Sequence, residues 1–285
     1  MNNLDTLADK LLTGLEAKNA AREEALRLSR QLVQHASRTI RAVHREEWDE
    51  AAAILADAET IAANLKAATR AQPELYSAGY AQDALKEYAE AHITRALSRE
   101  EDLPDPDALG VEYAAYLNGL GEAIGEMRRH GLDLIRRGEI ARAERVVEAM
   151  DEVYAFLTTV DYPDAVTNGL RRTTDMVRGV TERTRGDLTT AARQEKLQAA
   201  LRDFEARFQR AQLLIAGQAW TGAMDELLEI LMRDKAWSDD LARKTYIAIL
   251  DIIEPPKPKV AEGQIPPDDP VVASYRRRLS SVVLS

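Results

Sequence analysis

Apolar residues recur at helical spacing along most of the chain, with charged residues between them. The first such run extends from Leu4 to about Glu46 and predicts an unusually long helix. Because helix interiors exclude proline, the four prolines that precede residue 254 separate the runs that follow. These runs predict further helices over residues 49–71, 81–97, 105–137, 139–160 and 164–185, the last extending toward residue 202 or, as an alternative, straight into the second domain. The pattern therefore predicts an all-α fold.

The pattern changes after Arg202, where three shorter helices are predicted over residues 204–216, 221–233 and 238–253. Six prolines then mark a linker over residues 255–270. A last helix ends near residue 283, with Asp268 or Asp269 as its N-terminal cap. Short helices in this order are typical of tetratricopeptide-like repeats. We therefore predict a helical bundle followed by a tetratricopeptide-like helical domain, with the boundaries 1–195 and 196–285.

Composition restricts the chemistry and the location that we expect. The chain has no cysteine, which excludes disulfides, thiolate catalysis and cysteine-based zinc sites. No apolar run approaches the length of a membrane span, and the amphipathic start does not resemble a signal peptide, so we expect a cytoplasmic protein with no membrane contact. The formal charge of −10 disfavours general attraction to nucleic acid. Binding of nucleic acid would need a local basic patch.

Two acidic pairs at helical spacing are candidates for a metal site. Glu87 and Glu90 lie three residues apart on the third predicted helix, and Glu122 and Glu126 lie four apart on the fourth, so each pair shares a helix face. Metal-assisted hydrolysis of phosphodiesters needs several carboxylates around Mg²⁺. With 48 acids in 285 residues, however, such pairs also arise by chance. An ordinary solvated face is the alternative.

The fourth predicted helix has two further features. Glu122 and Glu126 lie opposite its apolar stripe, so both carboxylates are expected to meet water. Three glycines, Gly119, Gly121 and Gly125, fall in the same stretch, each at a cost of about 1 kcal/mol relative to alanine. Either close helix packing or close approach of a ligand must offset that cost.

An arginine stripe follows on the sixth predicted helix. Residues 171–185 contain five arginines and two acids, a local charge of +3, and arginine suits bidentate phosphate contact. The alternative is a ladder of ion pairs at i,i+4 spacing that stabilises the helix. Arg128 and Arg129, beside the glutamates, have the same two interpretations. The candidate residues for nucleic-acid binding are Arg128, Arg129, Arg171, Arg172 and Arg178.

The four histidines show no spacing typical of a metal site or a catalytic triad. They are therefore expected to be ordinary surface or half-buried residues. His92 and His130 lie within about a turn of the acidic pairs.

Several stretches together resemble the translin and Trax family. They are Tyr116–Glu126, Gly169–Asp175 with its continuation to Thr189, Pro73–Tyr80, and Glu87–Ala91. The similarity covers roughly residues 5–192 and is greatest to the single-subunit archaeal or bacterial forms. It implies about seven helices that assemble into a hollow homo-oligomer, a hexamer or an octamer, and that bind single-stranded RNA or DNA.

The same resemblance implies a catalytic site. Trax-like members cut RNA with Mg²⁺ held by four acids, which fall on Glu87, Glu90, Glu122 and Glu126 here. Trax-type members have Asp where this chain has Glu122, so the longer side chain puts the metal geometry in doubt. Translin-type subunits lack part of the quartet, and its presence here favours the Trax-like interpretation.

The tail from about residue 204 is similar to the helical C-terminal domain of certain thioredoxin-like chaperone proteins. Residues 223–230, 233–237, 242–244 and 269–279 carry this similarity. No thioredoxin domain precedes them, which makes an engineered fusion a serious possibility. The leading hypothesis is an RNA-binding oligomer with Mg²⁺-dependent endoribonuclease activity. The alternative is a non-catalytic helical scaffold whose tail drives larger assembly or partner binding.

Overall fold

The computed structural model describes residues 3–256 and 267–284, which contain helices and no strand. The predicted all-α class is thus confirmed. Most of the predicted proline-rich linker, residues 257–266, lies outside the described residues. The helices are α1 Leu4–His44, α2 Trp48–Thr69, α3 Pro73–Tyr76, α4 Gly79–Ser98, α5 Pro106–Leu109, α6 Tyr113–Arg136, α7 Ile140–Thr158, α8 Asp164–Thr167, α9 Leu170–Ala216, α10 Trp220–Arg233, α11 Trp237–Ile253 and α12 Pro270–Leu284.

Left-handed residues divide two of the predicted helices. The helix predicted over residues 105–137 is two helices, because Gly110 adopts a φ of +64° and ends α5 before α6 begins. Asn168 and Gly169, with φ of +52° and +79°, likewise separate α8 from α9. Sequence periodicity continued through these positions and did not show the breaks.

Helix α9 joins two of the predicted helices into one, which is the alternative that the sequence left open. The helix predicted over residues 204–216 is the C-terminal part of α9, which continues without interruption from Leu170 to Ala216. Neither glycine nor proline occurs between Gly186 and Gly217, so nothing in the local sequence ends the helix.

The chain divides into two compact units, residues 1–192 and 193–285, and the division falls inside α9. Unit 1 has a core built from α1, α2, α4, α6, α7 and the first part of α9. Unit 2 has its own core of residues from Phe204 onward. No residue from 189 to 203 is buried, so the two cores are separate along the chain.

Helix α6 is central to unit 1. The apolar stripe predicted for it is largely buried, with Leu120, Ile124, Met127 and Leu134 at most 1% exposed. In its first half, Asn118 accepts a hydrogen bond at 2.6 Å from the hydroxyl of Thr173, a residue of α9. This bond holds α9 close to α6. The Asn118 amide also donates to the Thr167 carbonyl at 2.9 Å, which ties α8 to the same place.

Helix packing explains two of the three glycines that the sequence singled out in the first half of α6. A Cβ at Gly119 would lie 2.7 Å from the Lys86 carbonyl oxygen of α4, and one at Gly121 would lie 2.2 Å from Cγ2 of Thr173 on α9. Glycine therefore allows both helices to approach α6 closely. Gly125 has nothing within 4 Å of the equivalent position.

Unit 2 contains α10, α11, α12 and the last part of α9. Trp237 at the start of α11 packs edge to face on Phe204, with ring centroids 6.4 Å apart. The Tyr246 hydroxyl donates to the Tyr275 carbonyl at 2.9 Å, which fastens α12 to α11. Asp269 accepts hydrogen bonds from two backbone N–H groups at the start of α12, as predicted for an N-terminal cap.

Within residues 3–256 and 267–284, no helix is both long enough and apolar enough to cross a membrane.

Candidate metal and nucleic-acid site

Three of the four predicted glutamates converge between α4 and α6. Glu87 and Glu90 lie on consecutive turns of α4, Glu122 lies on α6, and each offers a carboxylate oxygen within 4.8 Å of the other two. The close approach of α4 at Gly119, one turn before Glu122, brings the two helices to this distance. Carboxylate oxygens are the ligands that Mg²⁺ prefers. In chemistry and spacing, the cluster fits a small divalent cation after minor side-chain movement.

Because this acidic cluster is partly buried, ionising its carboxylates without a bound cation costs free energy. Glu90 is only 8% exposed. Burial raises its pKa to about 8, and the nearby charges of Glu87, Glu122 and Glu126 contribute to the increase. The pKa of Glu87 is also raised, again chiefly by burial. A bound cation would favour the ionised forms of these groups and offset their mutual repulsion.

Glu126 lies apart from these three carboxylates. Its Oε2 is 2.5 Å from Nε2 of His44, the last residue of α1. This hydrogen bond lowers the pKa of Glu126, so the carboxylate stays ionised near neutral pH. The other ring nitrogen of His44 is buried and has no hydrogen-bond partner among the described residues. The quartet is therefore a cluster of three plus a neighbouring histidine-bound carboxylate.

Glu122 and Glu126 meet water only in part, where the sequence predicted that both carboxylates meet water. Both side chains are half-buried, at 34% and 29% exposure, because α4 and the end of α1 lie on that side of α6. Lys86 contacts Glu122, and His44 contacts Glu126. The helical wheel located the core stripe of α6 correctly, but it could not show which helices pack on the opposite face.

Lys86 and His44 are site residues that sequence reasoning missed. The Lys86 ammonium is 2.7 Å from Glu122 Oε1 and 4.0 Å from Glu87 Oε1. Lys86 is 36 residues from Glu122, and His44 is 82 residues from Glu126. Neither separation leaves a periodic signal in the sequence.

Two of the predicted arginines line an open cleft beside the carboxylates. Arg171 and Arg172, in the first turn of α9, share a cleft of about 830 Å³ with Lys86 and Glu122. Neither arginine makes an ion pair with any residue of the described chain. The Asn118–Thr173 hydrogen bond holds this end of α9 against α6. The cleft also contains carboxylates, from Asp83, Asp164 and Asp175.

The other predicted arginines differ in their surroundings. Arg128 donates to the Thr184 hydroxyl at 3.0 Å and pairs with Asp187 at 2.9 Å. Arg178 pairs with Glu182 at 3.0 Å, which is one step of the ion-pair ladder considered above. Arg129 is exposed, and its charge contributes to the lowered pKa of Glu126. The structure therefore separates the candidates into Arg171 and Arg172 at the cleft, Arg128 and Arg178 in ion pairs elsewhere, and Arg129 without an ion pair among the described residues.

The two histidines singled out by their position do not reach the acidic cluster. His92 packs edge to face on Tyr88, and burial lowers its pKa to about 4. His130 is buried and lines a separate cavity with Leu134 and Val146. His92 is half-buried, as expected, whereas His130 is more deeply buried than the surface or half-buried position predicted for it.

Comparisons with known proteins identify relatives of unit 1. A curated relative, an uncharacterized protein of Methanocaldococcus jannaschii, is 30% identical over 194 residues, which are 67% of this chain and 86% of the relative. The solved structures of AfC3PO, alone and in a complex with duplex RNA, are 34% identical with a TM-score of 0.60 and cover 65% of this chain and 96% of theirs. The chain belongs to the translin and Trax family.

A further translin-family neighbour shows the same fold. The structure of apo-NeC3PO is 22% identical with a TM-score of 0.57, and the alignment covers 67% of this chain and 98% of that one. The remaining part of the chain has a different similarity, since a tetratricopeptide repeat family model matches residues 184–265. The translin-like bundle and the tetratricopeptide-like region predicted from sequence are both confirmed. The interpretation of the chain as an engineered fusion stays a prediction.

Proposed function

We propose that this translin-family protein binds RNA and cleaves it at a Mg²⁺ site formed by Glu87, Glu90 and Glu122. The observation that carries the proposal is the convergence of three carboxylates beside a cleft with two unpaired arginines. The relative AfC3PO, 34% identical, has been solved in complex with duplex RNA. The two arginines next to clustered acids suit a polyanion whose phosphate must approach a metal site, although the cleft also contains the carboxylates of Asp83, Asp164 and Asp175.

Each residue has a distinct part in this proposal. Bound Mg²⁺ would supply a Lewis acid that activates water and offsets charge at phosphorus. Arg171 and Arg172 bind phosphate oxygens on the cleft side and orient the backbone of the RNA. Glu126, held ionised by His44, accepts a hydrogen bond from water at the edge of the site. Arg129 lies on the same side and adds positive charge near that carboxylate.

The form of the RNA is part of the test. The family resemblance predicts single strands, whereas the AfC3PO complex contains a duplex. We therefore expect labelled single-stranded RNA to be cut in Mg²⁺ and protected in EDTA, and the same assay with duplex RNA and single-stranded DNA defines the substrate. Glu87→Gln and Glu122→Gln should each lower the rate at least 100-fold.

The matched control is Glu144→Gln, an exposed acid on α7 that makes no ion pair within the described residues. Its rate should equal that of the wild type. Cleavage that persists in both site variants, or that is unaffected by EDTA, would show that these glutamates do not form the catalytic site. Binding of RNA without any cleavage would leave an RNA-binding protein and end the nuclease proposal.

A second candidate function is a non-catalytic scaffold whose tail recognises a partner. The match of residues 184–265 to a tetratricopeptide repeat favours it, together with large exposed apolar side chains in unit 2. These include Leu213 at 74% and Ile252 at 64% exposure. Light scattering on the whole chain and on residues 1–195 tests this candidate. A larger symmetric particle formed only by the whole chain favours assembly through the tail.

A further inference from the structure

Lys86 lies between the carboxylate cluster and the arginine-lined cleft. Its ammonium donates a hydrogen bond to Glu122 Oε1 at 2.7 Å and lies 4.0 Å from Glu87 Oε1. The side chain is only 20% exposed, yet it lines the same cleft as Arg171 and Arg172. A single side chain therefore borders both the proposed metal ligands and the proposed phosphate path.

The contact with Glu122 occupies one of the two carboxylate oxygens that this residue could offer to a metal ion. Lys86 neutralises part of the charge of two carboxylates from the cluster, which is what a bound divalent cation would also do. A lysine ammonium is a compact charge on a flexible four-carbon stem, so it can move several ångströms without a change in the backbone. Once Glu122 coordinates a cation, Lys86 loses this partner while it remains beside the cleft.

We propose that Lys86 exchanges partners when a cation binds: it neutralises Glu122 and Glu87 in the metal-free protein, and it binds an RNA phosphate oxygen in the cleft when those carboxylates hold a divalent cation. This inference rests on the proposed function, because it assumes that the cluster binds metal and that RNA occupies the cleft. Lys86 is thereby a positioning residue for the substrate and a competitor for the metal site.

The exchange predicts opposite effects on two binding equilibria. In Lys86→Met, which keeps the stem and removes the charge, a divalent cation should bind roughly five- to tenfold more tightly, because its competitor is gone. RNA should bind roughly five- to tenfold more weakly in the presence of the cation, and within twofold of the wild type in EDTA. A purely structural lysine would not produce this cation-dependent difference.

Calorimetry with Mn²⁺ and Ca²⁺ measures the first equilibrium on the whole chain. Fluorescence anisotropy with a labelled single-stranded RNA, in Ca²⁺ and in EDTA, measures the second, and a gel verifies that the RNA is intact. The matched control is Lys66→Met, a half-buried lysine of α2 without an ion pair in the described chain. It should leave both equilibria unchanged. Lys86→Arg, which keeps the charge, should remain close to the wild type and serves as a second variant if Lys86→Met does not fold.

Glu122→Gln provides an independent readout in EDTA. It removes the partner of Lys86, so RNA should bind several-fold more tightly, and the double variant with Lys86→Met should lose that gain. An equal gain in the single and double variants would overturn the proposal, as would unchanged cation affinity in Lys86→Met. A wild type that binds neither Mn²⁺ nor Ca²⁺ overturns both proposals. A wild type that binds cation and RNA without cutting overturns only the nuclease assignment.

Discussion

Glu90 shows how one buried side chain connects stability and the proposed chemistry. It lies on α4 at 8% exposure, with two other carboxylates within 4.8 Å. Its pKa of about 8 means that the folded protein without metal holds a proton that the unfolded chain releases near pH 4.5. In sequence it is one acid among 48, so only packing distinguishes it.

The raised pKa of Glu90 predicts a specific dependence of stability on pH. Between about pH 4.5 and 8 the folded state binds the proton more tightly than the unfolded state does, so its contribution to stability falls as the pH rises through that window and stays constant above it. The loss is on the order of 5 kcal/mol as an upper bound. Urea unfolding in EDTA at several pH values measures it.

Glu90→Gln stays neutral at every pH, so its stability should not contain the pH-dependent contribution of Glu90. At pH 8 to 9 this variant should be more stable than the wild type. Glu144→Gln again serves as the exposed control. Parallel pH profiles for Glu90→Gln and the wild type would contradict the assigned pKa.

The His44–Glu126 pair gives a second prediction at this scale. His44→Ala removes the hydrogen bond to Glu126 and leaves that half-buried carboxylate without its partner, so the free energy of unfolding should fall by about 1–3 kcal/mol and RNA cleavage should slow by roughly 10- to 100-fold. His44→Gln offers an amide donor and should lose less of both. Urea unfolding and the cleavage assay measure the two effects. Cleavage at the wild-type rate in His44→Ala would remove Glu126 from the proposed mechanism.

At the scale of elements, the distance between α4 and α6 determines whether the carboxylates meet. The three glycines in the first half of α6 indicated from sequence that either a helix or a ligand comes close. The structure shows close helix packing at Gly119 and Gly121 and open space at Gly125. Periodicity cannot make this distinction, because it records the face of a helix and not the distance to its neighbour.

Alanine substitutions at Gly119 and at Gly125 should have opposite effects on the stability of unit 1. Gly119→Ala places a methyl group 2.7 Å from a backbone oxygen of α4, so it should destabilise unit 1 by about 1–3 kcal/mol. The methyl group of Gly125→Ala has no neighbouring atom within 4 Å, so this substitution should stabilise unit 1 by up to about 1 kcal/mol. Chemical unfolding of the two variants under one condition tests this prediction. Effects of the same sign would show that the distance between α4 and α6 is not what requires glycine.

Helix α9 illustrates a different limit of sequence reasoning. A change of pattern near residue 202 divided two predicted helices but left open that the first runs straight into the second, and the helix does continue because no glycine or proline interrupts it. The arginines in the first part of α9 also differ in what surrounds them. Arg171 and Arg172 face the cleft, whereas Arg178 pairs with Glu182 and Arg185 with Asp151 of α7. Helix spacing anticipated the first of these pairs and could not anticipate the second.

At the scale of the whole molecule, each unit has a core of its own. The core of unit 1 ends at Leu188 and that of unit 2 begins at Phe204, with no buried residue between them. We therefore expect residues 1–195 alone to fold, to melt cooperatively and to bind RNA with an affinity within a fewfold of the whole chain. Circular dichroism and anisotropy check this. A fragment that is unfolded or that no longer binds RNA would show that unit 2 is required.

The start of α1 bears on assembly. Its first turns present five exposed leucines, each at least 47% exposed: Leu4, Leu7, Leu11, Leu12 and Leu15. A predicted homo-oligomer, a hexamer or an octamer, would cover such a stripe with a second copy of the chain. The triple substitution of Leu7, Leu11 and Leu15 by Gln should reduce the particle mass by light scattering. An unchanged mass would place the subunit contact elsewhere.

The sequence by itself determined the helical class, the buried stripe of α6, the acids and arginines worth testing, and the family of residues 5–192. These properties depend on local spacing and residue type, which the chain records directly. The tertiary structure alone decided that three glutamates converge, that His44 binds Glu126, and that Lys86 lies between metal ligands and cleft. Those contacts join residues 36 and 82 positions apart, and they depend on how closely helices pack. Local periodicity contains no information about such distances.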